Sequence, residues 1–295
     1  MSNTTPTEFY YHAHGTAVSG AITSPASQVI ETTASTAIPI IGGTASASAG
    51  NTVISHPQLG DVLSYTSASA QLTGSFNAAD GTHNTVNTVT IEGLNILNTI
   101  TADRIILKLT SKHNPSEREG HIVPLGSTFE NLKICGHPVA VEIDFDLFSQ
   151  CDTYATFNTT YVQDETFRTR VRKQFLWGDY APDTPQFLQD RFQWHTEQGT
   201  PPESKGSEPC TLVKSVTHDQ PNVLKTYGNV IIVPQFGTVY LGEVILKDGE
   251  RSVNMLRIVL GSTPSTGIAP RTVSAAEMEG TIVIGGGGNN GNAWP

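Results

Sequence analysis

The sequence predicts an all-β protein, an antiparallel β-sandwich or jelly-roll-like fold, and three observations carry that prediction. Apolar residues alternate with period two in several separate runs, most regularly in PVAVEIDFD and DRIILKLT. Threonine, serine, glycine and asparagine are abundant while only 15% of residues are charged, a balance suited to pleated surfaces joined by tight turns. The length of 295 residues fits a single domain of two packed sheets with one long insertion.

In EFYYHAHGTAVSG, Tyr10, His12 and His14 share one strand face and Phe9, Tyr11 and Ala13 the other. IPIIGG closes a short apolar run, and TASASAG after it carries only small side chains, which lets a neighbour pack closely. Residues 61–76, DVLSYTSASAQLTGSF, predict one long strand of weak alternation. In NTVTIEGLNIL, Val89 and Ile91 alternate, Gly93 interrupts, and Leu94 and Ile96 resume out of phase, which predicts a bulge at Gly93. DRIILKLT directs Ile105, Leu107 and Leu109 inward and Arg104 and Lys108 outward. SKHNPSEREGHIVP reads as a polar loop. PVAVEIDFD then predicts a half-buried strand, with Val139, Val141, Ile143 and Phe145 inside and an acidic outer face of Glu142, Asp144 and Asp146.

The character changes between about 163 and 209. Phe167, Val171 and Phe175 at spacing four predict helical turns, although a strand also fits part of that pattern. The stretch after them is rich in aromatic residues and proline, which predicts an ordered insertion packed on the sandwich, containing a short helix. Strands return from 210 as CTLVKSV, GNVIIVP, GTVYLGEVIL and SVNMLRIVLG, with Asp248-Gly249 a hairpin signal between the last two. EGTIVIGGGG predicts a last short strand, and residues 285–295 a flexible glycine-rich tail.

A formal net charge of -10 argues against general nucleic-acid binding, since an acidic surface repels phosphate. The run Arg168, Arg170, Arg172 and Lys173 reads as a solvated face or as partners for nearby acids. No stretch approaches the ~18 apolar residues of a membrane span. The opening MSNTTPTEFYYHAHG lacks the basic and apolar regions of a signal peptide, so either the protein is not exported by that route or the sequence begins at the mature protein with an added Met. The composition points the other way, to the cell surface or beyond it. Cys135, Cys151 and Cys210 allow either one disulfide and a free thiol or three free thiols.

Among candidate sites, His12-Ala-His14 places two imidazoles on one strand face about 7 Å apart, within reach of one metal ion. A third ligand would come from His121, His137 or Glu142; the plain alternative is a polar strand face. No cofactor is expected beyond such a divalent metal. Asp144, Asp146 and Asp152, with Glu142, offer hard oxygen ligands for calcium without the spacing of an EF-hand loop. Glu243 stands among apolar residues, either as an inward carboxylate suited to acid catalysis or, more simply, as the ion-pair partner of Arg257. Trp177, Tyr180 and Trp194 would line a sugar or apolar-ligand pocket, or anchor the insertion. No nucleophile elbow, P-loop or H-E-x-x-H motif occurs, and the glycines of GGGGNNG follow the last predicted strand with no helix after them, which argues against a phosphate cradle.

Two segments, GSTFENLKICGHPVAVEIDFDLF and GNVIIVPQFGTVYLGEVILKDGERSVNMLRIVLGS, resemble stretches of uncharacterised bacterial β-sandwich proteins related to choice-of-anchor surface proteins. The resemblance covers about a fifth of the chain, implies a β-sandwich and implies no reaction. The small-residue strands suited to close packing and the aromatic insertion point to non-enzymatic assembly or binding by a homo-oligomer. The alternatives are a small-molecule enzyme using His12 and His14 in a β cavity, and a carbohydrate-binding module.

Overall fold

The computed structural model describes residues 8–117, 119–175, 184–191, 208–247, 249–261 and 279–294. In chain order, β1 (Glu8–Ser24) and β2 (Gln28–Ala37) form the first hairpin. There follow β3 (Gly43–Ala49), β4 (Thr52–His56), β5 (Gly60–Tyr65), β6 (Ser67–Asn77), β7 (Thr82–Ile96) and β8 (Ile100–His113). Next come the short strands β9 (His121–Val123), β10 (Thr128–Glu130), β11 (Lys133–Ile134), β12 (His137–Pro138) and β13 (Ala140–Ile143). Among the described residues four helices follow, α1 (Phe145–Gln150), α2 (Tyr154–Gln163), α3 (Glu165–Phe175) and α4 (Gln186–Arg191). The last strands are β14 (Glu208–Thr211), β15 (Val213–Thr217), β16 (Lys225–Tyr227), β17 (Val230–Val233), β18 (Gly237–Lys247), β19 (Glu250–Leu260) and β20 (Glu279–Trp294).

Two antiparallel sheets pack face to face. One runs β16-β17-β18-β19-β20-β1-β2. The other centres on β7, with β8 and the short strands β9–β12 on one side and β5, β6, β3 and β4 on the other. Buried apolar residues of both sheets and of α1, α2 and α3 join in a single cluster, the burial that drives the two sheets together.

The parity change at Gly93 is real, but it is not a bulge. Glu92 pairs with Arg104 and Leu94 with Ala102, while Ser67 pairs with Glu92 and Ser64 with Asn95, so no residue is inserted on either side. The neighbouring strands change face at the same level instead. Buried positions pass from Leu63 and Tyr65 to Ala68 and Ala70, and from Ile100 and Ala102 to Ile105 and Leu107. The half-buried positions of β3 and β4 pass likewise from Ala47 and Ala49 to Thr52 and Ile54. This crease runs across Asn51, Thr66, Gly93, Asp103 and Asn131, with Gly93 at φ +61 and Asn131 at φ +50. Asn131 Nδ2 donates to Asp103 Oδ2 at 2.6 Å on the same line. It also splits the predicted strand 61–76 into β5 and β6, which explains its weak alternation.

The opposite sheet is creased too, through Gly242, Met255, Gly285, Ala17 and Ala34. Gly242, Gly285 and Ala34 take φ of +56, +63 and +46. Because the strands change face together, pairing stays in register across each crease, the shift in the β1–β2 pair falling after Val18, and each strand keeps its apolar side on the core.

Four further expectations change. The strand predicted through Asp146 stops at Ile143, where Asp144 caps α1 by accepting from Leu147 N–H at 3.0 Å. Asp144 is thus buried and Asp146 lies in the first helical turn, so neither belongs to an acidic strand face. The helical region begins at 145 rather than 163, with Thr153 and Asp164 capping α2 and α3. The loop predicted over SKHNPSEREGHIVP is strand at both ends, in β8 and β9. Finally, the glycine-rich segment predicted as a flexible tail is strand β20, hydrogen-bonded between β1 and β19 in the middle of its sheet.

Candidate functional site

β1 places His12 and His14 as its alternation requires, both exposed beside buried Tyr11 and Ala13. They line an open cleft of about 630 Å³ together with Ile40, Glu250 and Gly288. Glu250 is held within its own hairpin, accepting from Ser252 Oγ at 2.9 Å and lying 3.4 Å from Lys247 Nζ. Among the described residues, no three His, Cys, Asp or Glu side chains converge as a metal site.

The proposed third ligands are engaged elsewhere or far along the chain path. Glu142 pairs with Lys214 at 2.6 Å and accepts from Ser215 Oγ at 3.0 Å, which lowers its pKa, and His137 lies on β12. The calcium set disperses in the same way. Both oxygens of Asp144 accept from Arg170 Nη2 at 2.8 Å, and Asp152 bonds to His121. Trp177, Tyr180 and Trp194 lie outside the described residues.

Glu243 forms the ordinary ion pair. Arg257 donates to it through Nε at 2.6 Å and Nη2 at 2.8 Å, and the guanidinium lies 3.8 Å above the Tyr240 ring. Burial opposes the charge on Arg257, yet the Glu243 carboxylate outweighs it and raises the guanidinium pKa. All three cysteines are free thiols, with Cys151 and Cys210 buried and Cys135 exposed.

Two features were not legible in the sequence. Arg251 is a buried cation, and burial lowers its pKa to about 10. It donates to the carbonyls of Ile122 and Cys151 and so ties β19 to β9 and to the end of α1. His121 is gripped from both sides, donating when protonated from Nδ1 to Asp152 Oδ2 at 2.7 Å and from Nε2 to Glu117 Oε2 at 3.0 Å. Burial works against its charge, and the two carboxylates more than offset this, raising its pKa.

The stabilisation from the raised His121 pKa is fully present below the unfolded value of about 6.5 and is lost as pH rises through the folded value. His121→Gln is therefore expected to lower Tm more at about pH 5.5 than at about pH 8.5. A thermal melt series in both buffers checks this; an equal loss at both would remove the charged brace.

The most distinctive surface is a sheet edge. β3 and β4 share one register against β6 and β5 as far as Ile54, where the β4–β5 pairing shifts by one residue, and together they form an outer line over residues 43–56 that pairs on one side only among the described residues. That line, GTASASAGNTVISH, has no lysine, arginine, aspartate, glutamate or proline. The facing edge β2 is different, since it carries Glu31 and is kinked at Ala34. The two edges lie together, with Gln28 Nε2 donating to the Ser55 carbonyl at 3.1 Å. Val29, Ile40, Ile41 and Val53 are 71%, 54%, 86% and 53% exposed along this side.

No curated protein and no solved structure matches the chain. A family model matches residues 9–247, from the start of β1 to the end of β18, and on that match the chain belongs to the domain of unknown function family DUF8256.

Proposed function

We propose that this protein acts without catalysis, as a structural β-protein that associates with further copies of itself through the β3–β4 edge. The uncharged edge over residues 43–56 carries the reading. Folded β-proteins blunt long edges with charge, proline or bulges, because unpaired N–H and C=O groups invite another strand. This edge has no charge and no proline along β3, and exposed isoleucines flank it.

A second copy laid antiparallel along β3 would satisfy those backbone groups, and a twofold axis near Ser46 makes the contact self-complementary. Covering Ile40, Ile41 and Val53 would contribute ~25 cal/mol per Å² of apolar surface, set against association costs of ~4–15 kcal/mol.

Light scattering over a wide concentration range is expected to show oligomers of the wild type. Ser46→Lys is expected to give a monomer whose unfolding free energy stays within about 0.5 kcal/mol of wild type, since Ser46 is exposed. A wild type that stays monomeric throughout would end this reading.

A further inference from the structure

We propose that His83 and His113 form an acid-sensitive latch, which fastens the start of β1 to the sandwich and, through Tyr11, holds the turn that carries the β3 edge. The consequence for assembly rests on the function proposed for that edge; the latch itself does not.

The two histidines face each other directly across β7 and β8. Phe9 of β1 stacks on His83 at 4.0 Å and meets His113 at 4.9 Å, and Phe76 closes on His83 at 5.0 Å. Tyr11 Oη and His83 Nδ1 are hydrogen-bonded at 2.8 Å, with Tyr11 the donor when that nitrogen carries no proton. Opposite edges of the Tyr11 ring lie against Gly42 and Gly74, where a Cβ would stand only 2.9 Å from Cε2 and 2.8 Å from Cδ1. Its N–H donates to the Ile40 carbonyl at 2.9 Å. Gly42 leads into β3, and Gly74 is next to Tyr11 and pairs with Gly43, so one aromatic ring links the histidine pair to the beginning of the edge strand.

Neutral imidazoles suit this box and charged ones do not. His113 is 1% exposed, and neither ring nitrogen has a hydrogen-bond partner at good geometry, the Glu117 backbone giving one weak interaction. The titratable groups around the pair are Tyr11 on β1, Glu117 in the loop after β8 and His121 on β9; of these Glu117 alone favours a charge on His113. Two protonated rings would set like charges on directly opposed cross-strand positions. Burial holds both histidines below their ordinary pKa. The stability they lend is thus fully present above the unfolded value of about 6.5 and is lost as pH falls toward the folded values. This is opposite in sign to the His121 brace.

Amide hydrogen exchange of the full chain at about pH 7.5 and pH 5.5, corrected for intrinsic rates, reads the latch directly. Acid is expected to speed exchange about tenfold in segments 8–14 and 38–44 while β18 and β19 hold their protection. The double variant His83→Gln, His113→Leu should lose this response, and His121→Gln should keep it. An unchanged wild type, a response that survives the double variant, or one abolished by His121→Gln would each overturn the latch. Should the double variant fail to fold, an NMR titration of the wild-type imidazoles decides, and ring pKa values at or above about 6.5 for both would overturn it. Light scattering on the same samples separates the two ideas. A monomer at both pH values with the exchange response intact ends the assembly reading and leaves the latch standing.

Discussion

Arg257→Ala is expected to cost about 3–5 kcal/mol of unfolding free energy, the range for stripping the partner from a buried charge. Glu243 is 4% exposed and both its oxygens are taken by the Arg257 guanidinium. Removing that guanidinium leaves a carboxylate in the sheet interior and empties the space above Tyr240. Urea unfolding of the two single variants and the double variant Glu243→Leu, Arg257→Met separates the penalty of breaking the pair from the worth of having it. The double variant is expected to recover most of the loss, because apolar replacements need no compensation for lost hydration. A cost below about 1 kcal/mol for Arg257→Ala would mean that water reaches the carboxylate.

The second large effect belongs to a glycine. Gly287→Val is expected to destabilise by about 3 kcal/mol, near the upper end for overpacking a closed interior. A Cβ at this position would stand 2.8 Å from Asn87 Nδ2 and 2.9 Å from Leu107 Cδ2, both on the opposite sheet. Gly15 of β1 is in the same position, its absent Cβ meeting Asn87 Oδ1 at 2.8 Å and Val89 Cγ2 at 2.9 Å. Here the sheets approach to within backbone distance, and Asn87 bridges them by donating to the His14 carbonyl at 2.6 Å. Gly288 has the opposite parity, and the first atom a Cβ there would meet is His14 Cε1, on an exposed side chain that can rotate away. Gly288→Ala is therefore expected to cost no more than about 1 kcal/mol. Equal and negligible effects at both positions, measured by chemical denaturation, would show that the segment does not pack as a strand.

That contrast explains why the C-terminal segment carries no strand pattern of its own. Alternation reports a strand only where side chains differ between faces, and GGGGNNG has almost none to report. Glycine stands there because the facing sheet comes too close for anything larger, which is a property of the partner. α1 escaped for another reason. Phe145 and Asp146 continue the alternation of Val139 to Ile143, and only Asp144 as an N-cap residue marks the change, a signal repeated by Thr153 and Asp164.

The candidate sites divide along the same line. His12 and His14 share a face, as period two requires, and Glu243 meets Arg257 because both lie on strands of one hairpin. The His83–His113 pair joins residues thirty positions apart, and Tyr11 reaches it from another sheet. Nothing local in either sequence segment marks that meeting.

Local pattern alone determined that this chain builds sheets, which side of its clearly alternating strands turns inward, and that facing apolar surfaces close on one another, because a strand's side-chain period is written in consecutive residues. The tertiary structure decided which strands are central and which remain edges, where both sheets crease in step, and which buried histidines meet. Those outcomes follow from the distance between two sheets and the order of their strands, quantities that exist only once remote segments have come together.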